Sequence, residues 1–185
     1  MQKPKPTQAD LLAAANKSIP DVIQPDLRIL FCGINPGLYS AAIQHHFGRP
    51  GNRFWPTLHR AGFTPRQFTP YEERELLPLG YGITNVVERS SARADELSGE
   101  ELLAGGERLR QRVIDYRPKV LAVLGITAYR GAFLQPKAQM GLQSETIGAT
   151  KIWVLPNPSG LNAHHTLDSL ADLFRQLNHF VNPLT

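Results

Sequence analysis

A chain of 185 residues that is 42% hydrophobic and 19% charged has the composition of one globular domain with a full core, not of a disordered or fibrous protein. Its net charge of +4 is compatible with a nucleic-acid partner without requiring one, and it contains no long Lys/Arg run. No apolar run reaches membrane-spanning length, no signal-peptide pattern opens the chain, and the single cysteine, Cys32, cannot form an intramolecular disulfide, all of which fits a reducing cytoplasm.

Residues 1–26 read as an N-terminal extension: a frayed Pro/Lys-rich start over 1–6, then a short helix from its cap Thr7 to Lys17. The apolar run from Leu27 to Cys32 is a buried strand, and Gly33-Ile34-Asn35-Pro36-Gly37 forces a tight turn at its end. Residues 38–51 are expected as a long irregular loop, a length that tends to be functional. Asn52 caps a helix carrying Phe54, Trp55, Leu58 and Ala61, and a second short helix runs from Tyr71 to Leu77. Tyr81 to Val87, rich in β-branched residues, is strand two. After a polar loop, the capping box Ser98-Gly-Glu-Glu101 starts a long helix to Tyr116, with Leu102, Leu109, Val113 and Tyr116 on its buried face.

Gly105-Gly106 inside that helix costs about 1 kcal/mol per glycine relative to alanine, which points to close approach of helix to sheet. Val120 to Leu124 is strand three, followed by a short helix through Phe133 and a loop over 134–143. Thr146-Ile147 is a minor strand or hairpin partner, Lys151 to Leu155 a further strand, and the last helix spans about 166–181. Strands alternating with helices give an α/β fold, a three-layer α/β/α sandwich around a central, mostly parallel sheet of four or five strands, with residues 27–185 as a single domain.

Two turns stand out for chemistry, Gly33-Ile-Asn-Pro-Gly37 and Pro156-Asn-Pro-Ser-Gly160. Each follows a strand, so in a parallel sheet both lie at the carboxyl edge, where open α/β sheets bind ligands. Asn-Pro and Pro-Gly are also simply good turn formers. Leu161, at the tip of the second turn, is either incidental or an apolar wedge of the kind that enters a base stack. Asn162, His164 and His165 follow; without an acidic or Cys/His partner at metal spacing, they read as solvated or DNA-facing donors and no metal is expected. Glu88 and Asp95 lie in the loop after strand two. Asp95 is either a solvated acid near a helix start or a carboxylate that assists at the cleft. Arg49, Arg53, Arg89 and Arg93 fall in or beside cleft-edge loops as surface charges or phosphate contacts.

The motif pair Gly33-Ile-Asn-Pro-Gly37 and Asn157-Pro-Ser-Gly160 resembles that of the mismatch-specific uracil-DNA glycosylase (Mug) and thymine-DNA glycosylase family. The resemblance runs in order over about residues 27–181. It takes in Phe31-Cys-Gly, Asn52-Arg-Phe-Trp55, Ala61-Gly-Phe-Thr64, Leu103-Ala-Gly-Gly106, Leu121-Ala-Val-Leu-Gly125 and Ile152-Trp-Val-Leu-Pro156, and it fits the bacterial Mug branch better than the thymine branch. It implies a uracil-DNA-glycosylase-like fold and a monofunctional enzyme that needs no cofactor. The enzyme would act as a monomer on double-stranded DNA with a U:G or related mismatch, excising uracil and related damaged pyrimidines to leave an abasic site.

By the same resemblance Asn35 positions the water, which an amide can orient but not deprotonate. Backbone groups of Ile34 and Phe47 read the uracil edge, the Phe47 ring stacks on the base, Ser40 lies near base C5, and Asn157 contributes to base binding. Leu161 is the intercalating wedge, and Gly160 and Asn162 present backbone to the opposite guanine. Arg49, Arg53 and His164 are candidate phosphate contacts. Mug-type members carry an arginine two residues beyond the wedge; this chain has Ala163 there, then His164-His165, which bears on its grip on the orphan guanine. The alternatives are an inactive DNA-binding module of the same fold, and a nucleotide-binding α/β enzyme. The opening turn matches neither G-x-G-x-x-G nor a P-loop.

Overall fold

The computed structural model describes residues 5–183, so the start expected to be frayed lies, for residues 1–4, outside the described residues. Five strands form the sheet: β1 (Ile29–Gly33), β2 (Tyr81–Asn85), β3 (Val120–Leu124), β4 (Gly141–Ile147) and β5 (Thr150–Leu155). Their order is β2-β1-β3-β5-β4, with β4 antiparallel to β5 and every other pairing parallel. β1, β2 and β3 are buried at every position, as expected of parallel strands covered on both faces.

Alternation along β1 builds two cores. Ile29 and Phe31 point to one side, where Phe31 meets Phe54, Phe63, Tyr81 and Phe174 at ring-centroid distances of 5.5 to 6.3 Å. That layer holds α3 (Phe54–Arg60), α6 (Leu167–Val181) and the 3₁₀ segment Pro70–Leu79. Leu30 and Cys32 point the other way, toward α4 (Gly99–Tyr116) and α5 (Ile126–Phe133). The three-layer sandwich read from the alternation of elements is therefore the observed architecture.

Several local expectations are corrected. The segment 38–51 is not all loop: α2 (Leu38–Ile43) starts at Gly37 and ends on Gln44 in the left-handed region. Its packing face is alanine, with Ala41 and Ala42 against Ala14 and Ile19, so it carries too little apolar contrast to show as a period. The first helix, α1 (Gln8–Ala13), has the expected Thr7 cap in a reciprocal box with Asp10, but it gives way to turns before Lys17. On α4 the Ser98–Glu101 capping box, Leu109 and Val113 stand as expected, whereas Leu102 and Tyr116 are only half-buried. The closest backbone approaches there are at Gly105 and Gly106, where a Cβ would lie 2.3 Å from the Val86 and 2.1 Å from the Ala132 carbonyl oxygen. The segment before β1 also joins the core: Val22 is buried and pairs antiparallel with Ile83.

Candidate active site

The sheet order reverses at β1, whose neighbours β2 and β3 are reached by connections on opposite faces. A ligand cleft is expected at the carboxyl edge of that junction. The structure has one there, a cleft of about 430 Å³ lined by Gly33 to Gly37, Ser40, His46, Phe47, Asn85 and Asn157 among others. Its size suits a small organic ligand.

Asn35 sits in the turn after β1 with its amide fully specified by its neighbours. Its Nδ2 donates to the Arg89 carbonyl at 3.0 Å and to Ser91 Oγ at 2.8 Å. A carbonyl can only accept, and the Ser91 hydroxyl proton is already given to the Arg93 carbonyl at 2.7 Å, so both neighbours require the NH₂ end. The carbonyl oxygen Oδ1 has no partner among the described residues and is left as an acceptor. The backbone holds the turn as well: the Ile34 carbonyl accepts from Val87 N–H at 2.9 Å and the Pro36 carbonyl from Ser91 N–H at 3.1 Å. The Ile34 carbonyl, expected to read a ligand edge, is thus already engaged within the chain.

Phe47 takes a left-handed φ of 52°, a costly conformation for an aromatic residue. Ser40, buried on α2, accepts Gly48 N–H at 2.9 Å and pins that turn. One face of the Phe47 ring stacks on Phe54 with centroids 4.0 Å apart, and its edge reaches the space over Gly33. A Cβ at position 33 would lie 2.6 Å from Asn85 Oδ1 and 3.4 Å from Phe47, so a side chain there would displace the Asn85 amide from its place at the cleft. Asn157 Oδ1 accepts Ser159 N–H at 2.9 Å, leaving its NH₂ end without a partner among the described residues.

The second turn is built as a braced tip. Arg53 is corrected as a phosphate candidate: its guanidinium faces inward and donates to the carbonyls of Ser159 at 2.6 Å, Asn162 at 2.8 Å and His165. Asn162 is also engaged internally, its N–H to Ser159 O at 3.0 Å and its Nδ2 to Asn157 O at 3.0 Å. Gly160 passes close to Gly51, where a Cβ would come 2.6 Å from the Gly51 carbonyl oxygen. The brace holds Leu161 out at 72% exposure beside the cleft. His164 is exposed next to it.

The charged candidates separate clearly. Arg89 is spent on Glu101, which it contacts through Nε and, at 3.0 Å, through Nη2. The Arg89 guanidinium, with the Ser98 N–H, holds the Glu101 carboxyl down to about 2. Arg93 pairs with Asp95, both exposed on the cleft rim. Glu88 pairs with Arg112 at 2.8 Å and does not line the cleft. Arg49 lines the cleft and is exposed, and its guanidinium has no partner among the described residues.

His46, Asn85 and Ser91 are cleft residues that escaped the sequence reading. Asn85 ends β2 beside Gly33, its register partner, as Asn35 follows β1. A polar amide closing a β-branched strand was the available signal. His46, two percent exposed, sat inside a segment read as loop and gave no signal.

Fold and site define an α/β protein with its ligand cleft at the topological switch point of the sheet. Residues 20–181 match the model of the uracil DNA glycosylase superfamily, and the chain belongs to that superfamily. Membership makes it a DNA-acting glycosylase, a hydrolase of the uracil-DNA glycosylase kind. A candidate uracil DNA glycosylase from Methanosarcina acetivorans, solved by solution NMR, has the same fold, with a TM-score of 0.60 and 22% identity over 89% of this chain and 99% of that one. At that identity the likeness speaks for the fold.

Proposed function

We propose that this chain is a monofunctional, mismatch-directed uracil-DNA glycosylase of the Mug and thymine-DNA glycosylase branch. It works as a monomer in the cytoplasm, on duplex DNA carrying a U:G or related mismatch, and opens base excision repair by leaving an abasic site. The observation that carries this reading is the freed Oδ1 of Asn35, an acceptor at a cleft edge whose own NH₂ group is locked.

In this reading the target nucleotide leaves the stack at a cost of a few kcal/mol, less for a mismatch. Leu161 fills the gap and Phe47 stacks on the extruded base. Asn85 Oδ1 accepts from the base N3–H. The free NH₂ of Asn157 and backbone N–H groups of the Gly33–Gly37 turn donate to oxygens that gain charge as the base departs. Asn35 Oδ1 orients a water toward the anomeric carbon of the oxocarbenium-like sugar. The C–N bond breaks with its electron pair on the base, and the water supplies the new C–O bond and loses a proton to solvent. An amide takes no proton, so the site works by positioning.

Base release from oligonucleotides carrying U:G, U:A, T:G and ethenocytosine:G, and from single-stranded uracil DNA, tests the proposal. We expect an abasic product from U:G, formed faster than from U:A. No product from any uracil substrate would refute the activity, and equal U:G and U:A rates would refute the mismatch preference. Arg49, the unpaired cation on the cleft, is proposed as a phosphate contact in place of Arg53. Arg49→Ala should flatten the log–log salt dependence of duplex binding by about 0.9, the weight of one phosphate contact. Anisotropy titrations at several salt concentrations would measure it, and an unchanged slope would remove Arg49 from the interface.

A further inference from the structure

His46 lies under the cleft, between the N-terminal segment and the end of β2. Its Nε2 is 3.0 Å from the Pro20 carbonyl oxygen and its Nδ1 is 3.4 Å from Asn85 Nδ2. The Pro20 carbonyl can only accept, so Nε2 carries the ring proton and Nδ1 of the neutral ring is a bare acceptor. Burial pushes the His46 imidazole below its usual range, against the pull of Glu73 and Asp21, so the neutral form holds. The ring itself is fixed through its backbone: His46 N–H donates to Glu73 Oε2 at 2.8 Å, and the His46 carbonyl accepts Trp55 Nε1 at 3.3 Å. A bare acceptor at Nδ1 can be met only by the NH₂ end of the Asn85 amide. One Nδ2 proton is then committed to His46, and Oδ1 lies over Gly33 at the cleft.

We propose that His46 is a positioning residue that decides which base edge the cleft accepts, by transmitting the polarity of the Pro20 carbonyl to the Asn85 amide. The inference rests on the reading of the cleft as a uracil pocket. An asparagine amide is nearly symmetric in shape and carries no preference by itself. In the orientation fixed here, Oδ1 meets the N3–H of uracil and the second Nδ2 proton meets its O4. Reversed, the same side chain would match the N3 lone pair and the amino group of cytosine, which is abundant in undamaged DNA. Selectivity for the deaminated base is therefore set two residues away, at a carbonyl of the N-terminal segment.

The imidazole ¹⁵N shifts of the wild-type protein near neutral pH should show the Nε2–H tautomer for His46; the Nδ1–H tautomer would overturn the proposal. In single-turnover assays, His46→Phe should slow uracil release from a U:G duplex about tenfold, the weight of one hydrogen bond to a reading group. It should also narrow the preference for uracil over 5-fluorocytosine set in a mismatch opposite adenine. Asn85→Ala should erase the effect of His46→Phe, since one acts through the other. His46→Gln, whose amide can donate to Pro20 and accept from Asn85, should restore the preference. Additive losses, or a base preference unmoved by His46→Phe, would overturn the proposal. A wild-type protein that releases no uracil would instead sink the functional reading, and the tautomer, read without substrate, would still decide whether His46 orients Asn85.

Discussion

Asn35→Ala should slow uracil release at least about 100-fold, the scale of losing the placement of a reacting group. Stability should fall only by about 1–2 kcal/mol, for the two hydrogen bonds its NH₂ group makes. Single-turnover rates and a melting curve separate the two effects. The more telling substitution is Asn35→Asp. A carboxylate could in principle take the proton from water, so a site limited by base catalysis would speed up. The surroundings of Asn35 argue the reverse. Ser91 can turn its hydroxyl toward a carboxylate, but the Arg89 carbonyl, 3.0 Å away, cannot become a donor. Two oxygens would face each other there, which displaces the carboxylate or raises its pKa. The protonated acid restores one of the two donors. Asn35→Asp should therefore remain slower than wild type at neutral and alkaline pH and recover partly as pH falls. A variant faster than wild type at alkaline pH would refute positioning as the main work of Asn35.

What was legible in the sequence follows from where local chemistry is strong. The cap at Thr7, the capping box at Ser98 and the buried run of β1 are short-range signals, and all stand in the structure. The Gly33–Gly37 and Pro156–Gly160 turns also appear where strand ends place them, both lining one cleft. What escaped depends on side-chain partners far apart in sequence. Arg53 reads as a surface charge until the loop after Asn157, over a hundred residues later, offers it three carbonyls. His46 is silent until Pro20 and Asn85, from two other elements, fix its tautomer. α2 was missed because alanine faces leave no periodic contrast. Composition and spacing report what each residue prefers locally, and these residues are decided by what packs on them.

The glycine pair in α4 makes the same point with a sign. Helix propensity alone says that alanine at Gly106 should stabilise by about 1 kcal/mol. The structure says otherwise: a Cβ at Gly106 would lie 2.1 Å from the Ala132 carbonyl oxygen of α5. That obstacle is backbone, so relief requires the two helices to separate. Overpacking of this kind costs about 1–3 kcal/mol and occasionally more, and here it outweighs the propensity gain. Gly106→Ala should therefore lower stability by about 2 kcal/mol, or the melting temperature by about 4–8 °C for a chain of this length. Gly99→Ala on the same helix is the control. It is exposed, has no neighbour within 4 Å, and should be neutral or slightly stabilising. Gly105→Ala should differ from both. Its Cβ would lie 2.3 Å from the Val86 carbonyl oxygen, and Val86 follows Asn85 and donates its N–H to the Gly33 carbonyl at 2.9 Å. Pushing Val86 moves the floor of the cleft, so Gly105→Ala should lose uracil release at temperatures where it is still folded. If both variants lost stability alone, α4 would be only a support for the sheet; a selective loss of rate at Gly105 would tie the helix to the placement of Asn85.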